Sequence, residues 1–354
     1  MILIHKFKLQ TKRQKVKKNT LMFSLLCLLS ANTIHADDFA TQNLLKIVND
    51  YRQARLDRVD QNIQELLEQK EYWINALSLQ DTQFGYYEKI EYIFVSNKSK
   101  PDLSLYRFDY GKLTQIGESD ALVGSGSGEK KTSGDLTTPL GVYDLTNKLT
   151  KLDQYYGPMA FVTSYPNAYD KSLKRTGYGI WIHGMPLNGN RDELNTKGCI
   201  AIENEIIKKY EKYINPDQTI LIVYENTYTP PSNQELASIL SELYRWKNAW
   251  QKNDYERYMS FYSPDFRKSN GTNYEKYAKY KARIFAKKES KSIRLLNINV
   301  IPYPNEDNEK IFRITFEQKY NAYKKDKLSY SSDSQKEIYL TLKPNGKIAI
   351  LLEE

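Results

Sequence analysis

The stretch Tyr178–Asn204, YGIWIHGMPLNGNRDELNTKGCIAIEN, carries His183 and Cys199 sixteen positions apart. The 354-residue chain has three histidines and two cysteines. His5, Cys27 and His35 all fall in an N-terminal segment that reads as a removable leader. The mature chain would then hold one histidine and one cysteine, both in this stretch. Each has apolar neighbours on one side and glycine on the other: Ile180, Trp181 and Ile182 lead to His183 and Gly184, and Gly198 leads to Cys199, Ile200, Ala201 and Ile202. That pattern predicts buried strand ends opening into glycine turns beside a cleft. A thiol and an imidazole make a nucleophile and its base. The residues alone leave a second reading open, in which the cysteine is a small buried hydrophobe and the histidine an ordinary turn residue.

The leader reading rests on order. Residues 1–20 hold seven Lys and Arg and no acid, 21–31 form the short apolar run LMFSLLCLLSA, and Asn32 to Ala36 suit a cleavage region. The run is too short for an ordinary transmembrane helix. Seven of the nine net positive charges lie there, which leaves the rest at +2, a balance that gives no case for nucleic-acid binding. Export implies an oxidising compartment, where a lone Cys199 has no disulfide partner in its own chain and needs burial or a function. One histidine and one cysteine make no zinc cluster, and neither HExxH nor CxxC occurs. No cofactor or metal is expected.

Four further regions follow the leader (1–36). Residues 37–87 are mainly helical: 37–80 has no proline or glycine, and Leu44, Leu45, Val48, Tyr51 and Leu56 recur at helical spacing. So long a segment with so narrow a stripe needs a surface to pack on, the catalytic domain or a second copy of the chain. Residues 88–226 read as many short strands, at Ile90–Val95, Leu103–Phe108, Leu113–Ile116, Ala121–Val123, Val142–Leu145, Met159–Val162, Gly179–Ile182 and Thr219–Tyr224, with a helix at Glu203–Tyr213. This is a mainly β domain. Gly124–Gly134, GSGSGEKKTSG, lacks the order and following helix of a phosphate loop and reads as a loop bordering the cleft. Residues 227–234 are a linker. Residues 235–354 read as helices followed by an antiparallel sheet, an α+β module ending in a hairpin around Lys343–Gly346. Twenty-nine tyrosines suit wet, sugar-binding grooves and equally a biased genome.

The central stretch resembles the signature of the L,D-transpeptidase catalytic domain, the YkuD-type family of cell-wall enzymes, in His183–Gly184, a polar spacer Met185–Asn195, and Thr196–Lys197–Gly198–Cys199. Thr138–Pro139–Leu140–Gly141 resembles the family's Thr-Pro-x-Gly segment. The resemblance covers roughly residues 88–226. Lys197 stands where the family usually has a second histidine, and Ala201 where many members carry an arginine. These departures, the leader and the flanking domains resemble a narrower group, the periplasmic L,D-carboxypeptidases that set cell shape in bacteria related to Helicobacter and Campylobacter. Trp246–Trp250, Tyr258 and Tyr262–Phe266 resemble the start of an NTF2-like fold.

The resemblance implies that Cys199 is the nucleophile and His183 the general base and acid, with a backbone carbonyl orienting the imidazole. Gly198 would supply backbone geometry and an oxyanion contact. The implied substrate is the peptidoglycan stem peptide, cut before its terminal D-alanine. Hydrolysis gives a carboxypeptidase, attack by an amine gives a crosslinking transpeptidase, and a dead domain gives a wall-binding scaffold. Candidate substrate contacts are Trp181, Gly184, Lys197, Arg175 and Arg191, each of which also reads as a surface or packing residue. The C-terminal module is a candidate receptor for a glycan or a protein partner.

Overall fold

The structure, a computed structural model, describes residues 39–189 and 193–354. The expected leader and Arg191 lie outside the described residues. The chain divides into two compact units that meet at Asn75 and Ala76.

In the first unit the helical reading is borne out in kind, but the chain is broken. Helix α1 spans 39–52, α2 spans Leu56–Leu67 and α3 begins at Lys70 and runs to Leu77. The break falls at Ala54, whose φ of 54° is incompatible with continuing a right-handed helix. No proline or glycine announces it. Asn62 Nδ2 donates to Asp50 Oδ2 at 2.8 Å, which ties α2 back to α1. Leu44, Leu45, Val48, Tyr51 and Leu56 are between 43% and 67% exposed.

The second unit holds two sheets. The larger has eight strands in the order β4-β3-β2-β9-β5-β6-β7-β8. They are β2 (Tyr92–Asn97), β3 (Asp102–Asp109), β4 (Lys112–Asp120), β5 (Gly141–Leu149), β6 (Ala160–Thr163), β7 (Trp181–His183), β8 (Ile200–Ala201) and β9 (Thr219–Tyr224). Two contacts in it are parallel, β2 with β9 and β7 with β8. The strand expected at Ala121–Val123 is absent; the chain there makes single bridges instead, Leu122 to Ala201 and Gly124 to Thr196. Helices α4 (Ala168–Ser172) and α5 (Asn204–Glu211) complete this layer.

The smaller sheet runs β1-β10-β11-β12-β13, from β1 (Tyr86–Tyr87), β10 (Ser290–Pro302), β11 (Ile311–Lys324), β12 (Lys327–Leu342) and β13 (Ile348–Glu353). It is covered by α6 (Asn233–Gln251), α7 (Tyr255–Met259) and α8 (Tyr274–Phe285). Ser232 and Glu235 form a reciprocal capping box that starts α6. Beneath α6, Trp246, Tyr258, Tyr262 and Tyr277 are buried. The Tyr262 and Tyr277 hydroxyls both donate to the buried Glu353 carboxylate, and Lys281 Nζ sits 4.0 Å from the Trp250 ring centroid. Much of the tyrosine content is therefore core, with the hydroxyls of Tyr258, Tyr262 and Tyr277 bonded to one another and to Glu353.

The two sheets share a core. Strands β2 and β9 are buried on both faces, which explains their nearly unbroken apolar sequences. One face carries Phe94, Leu221 and Val223 against Ile207 and Tyr210 of α5. The other carries Ile93, Ile220 and Ile222, with Val142, against Ile301, Tyr303, Ile311, Tyr339 and Leu352 of the smaller sheet. Gly141 shows how close this contact is. Its φ is +131°, and a Cβ there would stand 2.5 Å from the Tyr303 ring, so the glycine of Thr138–Gly141 is required by packing as well as by the turn. Arg313, 4% exposed, closes the seam. Its guanidinium takes both oxygens of Asp144 on β5 and donates through Nε to Glu337 at 2.6 Å. A fork of this kind, with its charge balanced on two sides, gives direction as well as attraction.

Candidate active site

Strands β7 and β8 run parallel, with Ile182 opposite Ile200 and His183 opposite Ala201. Side chains alternate along a strand. Ile182 and Ile200 point into the core, so His183, and Cys199 just before β8, face the other way. Both line one cleft of about 690 Å³, together with Lys130, Ser133, Leu136, Tyr156, Thr196 and Lys197. His183 is 1% exposed, whereas Cys199 is a partly exposed thiol outside any disulfide.

His183 Nδ1 lies 2.7 Å from the Gly184 carbonyl oxygen. A carbonyl can only accept, so Nδ1 carries the proton and Nε2 is the basic nitrogen of the neutral ring. The Tyr156 ring meets the imidazole edge to face at 5.2 Å and 86°, and Gly184 N–H donates to the Tyr156 carbonyl at 3.1 Å. The ring is thus fixed from its backbone side and one flank.

The Cys199 turn is held from two sides. Thr196 Oγ donates to the Cys199 carbonyl at 2.6 Å and accepts from Gly198 N–H at 3.1 Å. Gly198 has φ +127°, and a Cβ there would stand 2.9 Å from the Thr137 carbonyl oxygen. Only glycine fits. The Gly198 N–H is already engaged by Thr196, so an oxyanion contact through that amide would have to displace it. At rest the Cys199 thiol donates to the Gly179 carbonyl at 3.3 Å.

The remaining candidates are spread out. Lys197 lines the cleft beside Cys199. Trp181 packs on Tyr156 at 5.1 Å, and Gly184 supplies the carbonyl for His183; neither is among the cleft-lining residues. Arg175 lies among carboxylates behind the cleft loop, 2.9 Å from Asp170 Oδ1 and 3.0 Å from Glu129 Oε2. Two residues were given no role from sequence. Thr196 was visible as a hydroxyl three residues before the cysteine, in the place of a turn-closing side chain. Tyr156, far back in the chain, gave no signal. Among the described residues no group of three or more His, Cys, Asp or Glu side chains converges as a metal site.

The loop 124–137 walls the cleft, and charge organises it. Burial would raise the Asp135 carboxyl, but Lys130 at 2.5 Å and the amides of Thr132, Thr137 and Lys131 outweigh that and hold it at about 2. Glu129 goes the opposite way. Burial pushes it to about 7 against the pull of Arg175.

This fold and this site define a class, the L,D-transpeptidase catalytic domain joined to an NTF2-like domain. The YkuD family model, L,D-transpeptidase catalytic domain, matches residues 91–223, and the Cds6 C-terminal NTF2-like domain matches residues 238–354. The helical cell shape determining protein Pgp2 from Campylobacter jejuni is 37% identical, with a TM-score of 0.75 over 81% of this chain and 99% of that one. A point mutant of Pgp2 aligns at 36% and 0.76 over 82% and 99%. Bd1075 from Bdellovibrio bacteriovorus aligns at 25% and 0.61, over 78% of this chain and 96% of its own. The chain belongs to this family of YkuD-type proteins with an NTF2-like C-terminal domain. No curated protein sequence matches it at the threshold applied.

The Glu129 shift predicts a pH effect. A carboxyl whose value rises from 4.5 to about 7 on folding binds its proton more tightly in the folded state. Its contribution to stability is complete below 4.5 and is lost as pH rises through about 7. The melting temperature of the wild type, measured between pH 4.5 and 7.5, should fall more steeply than that of Glu129→Gln. Parallel curves would show that Glu129 does not titrate in this window.

Proposed function

We propose that the protein is a periplasmic cysteine L,D-carboxypeptidase, which removes the terminal D-alanine from peptidoglycan stem tetrapeptides to leave tripeptides and so influences cell shape. The observation that carries this reading is the His183 Nδ1 contact to the Gly184 carbonyl at 2.7 Å. It commits one nitrogen and leaves Nε2 as the base, on the same cleft as the Cys199 thiol. The family resemblance, the cell-shape relatives and the leader pattern support the substrate and the compartment.

Cys199 passes its proton to His183 Nε2, and the thiolate attacks the carbonyl carbon before D-alanine. The C–N bond breaks as His183 returns the proton to the departing amine, leaving a thioester. Water then attacks, again giving its proton to His183, and the thioester opens to a carboxylic acid and the thiol. Lys197 at the cleft favours the thiolate and suits the substrate's terminal carboxylate. An amine in place of water would turn the same acyl-enzyme into a crosslink. Lys197 and Ala201, which depart from the family pattern, favour water.

The mature protein with disaccharide-tetrapeptide, an excess of acceptor stem peptide and a Cys199→Ala control decides the reaction. Mass analysis should show loss of one alanine with wild type and none with the variant. A crosslinked dimer would make it a transpeptidase, and no product would favour the wall-binding scaffold.

The exposed Leu44, Leu45, Val48 and Tyr51 on α1 and Leu56 at the start of α2 support a homodimer through 37–80, because an apolar row of this kind is costly in water. Light scattering on the mature chain should give twice the monomer mass, and Leu44→Ser with Leu45→Ser should halve it. A monomeric wild type at micromolar concentration would end this idea. The C-terminal domain is a candidate receptor for a glycan or a protein partner. Removing residues 232–354 cannot test that, since it would uncover Ile93, Ile220 and Ile222 and test stability instead.

A further inference from the structure

The loop 124–137 supplies Lys130, Ser133, Gly134 and Leu136 to the cleft. Its own domain holds it at several points. Lys98 Nζ donates to the Gly128 carbonyl at 2.6 Å, Gly128 N–H donates to Glu225 at 2.8 Å, and Thr176 N–H donates to the Lys131 carbonyl at 3.0 Å. One further holder comes from the other domain. Glu306, in the loop between β10 and β11, accepts from Glu129 N–H through Oε2 at 3.2 Å. Glu306 N–H donates in return to Glu129 Oε1 at 3.3 Å. Lys131 Nζ stands 2.8 Å from Glu306 Oε1. The two glutamates thus grip each other's backbone across 177 residues of chain, and Arg175, itself paired with Asp170, holds Glu129 from behind.

The Glu306 loop is itself fixed. Asn305 Nδ2 donates to the Tyr303 and Glu309 carbonyls, and Tyr303 N–H donates to the Ile311 carbonyl at 2.8 Å. Tyr303 is buried in the core the two sheets share. A rigid line therefore runs from that core through Glu306 to Glu129, one residue from the cleft residue Lys130. The exposed Lys131 pair adds little by itself. The charge-assisted bond from Glu129 N–H to the Glu306 carboxylate is the stronger part, and with the return bond from Glu306 N–H it sets position.

We propose that Glu306 is a positioning residue of the catalytic cleft, by which the C-terminal domain fixes the loop 124–137 as a wall for the substrate. It touches neither His183 nor Cys199, so its loss should weaken substrate binding and leave the thiol chemistry alone. The inference rests on the carboxypeptidase reading for its kinetic part only.

The test uses the full mature chain as Glu306→Ala and Glu306→Gln, with the exposed neighbour Asp307→Ala as control. Amide exchange at 126–134 should speed up by about fivefold or more in Glu306→Ala, with the rest of the chain unchanged. KM for D-alanine release should rise about five- to tenfold with kcat within about twofold. Iodoacetamide should alkylate Cys199 at the wild-type rate. Glu306→Gln keeps an acceptor for Glu129 N–H but no charge for Lys131, and should fall between. Exchange and KM equal to those of Asp307→Ala would overturn the proposal, as would exchange rising over the whole chain. If even the wild type releases no D-alanine, the activity reading fails, while exchange at 126–134 still decides whether Glu306 holds the loop.

Discussion

Strands β2 and β9 are covered on both faces, and every functional feature hangs from that constraint. On one side Phe94, Leu221 and Val223 pack beneath α5 in the cluster that also holds Ile182 and Ile200. On the other, Ile93, Ile220 and Ile222 pack on the C-terminal sheet. Burying an aliphatic side chain is worth about 1.5–3 kcal/mol, so neither face can be bared cheaply. The first face fixes the paired backbones of β7 and β8 and thereby the positions of His183 and Cys199. The second makes the C-terminal domain a structural continuation of the enzyme, with Arg313 setting its direction.

The site built on this base uses backbone where other enzymes use side chains. A carbonyl orients His183, a threonine hydroxyl closes the Cys199 turn, and a glycine lets that turn pass the Thr137 carbonyl. Such contacts are short in reach and tied to the sheet, so they hold the two groups in place. Beyond Lys197, charge organises the loop that walls the cleft, where Asp135 and Glu129 are driven in opposite directions by their surroundings.

Much of this was legible in the sequence, for physical reasons. Thr219–Tyr224 read as a strand, and the residues after 235 read as helices followed by an antiparallel sheet. His183 and Cys199 stood out because they were scarce and flanked alike. Other features left no local trace. Ala54 takes a left-handed φ without a glycine, so the breaks between the first helices were invisible. Ala121–Val123 has strand composition but meets its neighbours only through single bridges. Tyr86–Tyr87 joins a sheet whose partner residues are Val300 and Asn299. Arg175 is a basic residue near the site in sequence, yet its partners Asp170 and Glu129 draw it behind the loop. Pairings over such separations are set by tertiary packing, which no window along the chain reports.

The central claim is that His183 and Cys199 act as one unit. The most direct measurement is the rate of Cys199 alkylation by iodoacetamide at pH 6, in the wild type and in His183→Asn. An isolated thiol is almost wholly protonated there, since a free cysteine titrates near 8.5. The account predicts that the wild type reacts about tenfold faster or more, because the imidazole takes the proton and pairs with the thiolate. Equal rates would mean that the two residues share a cleft without sharing a proton, and would contradict it.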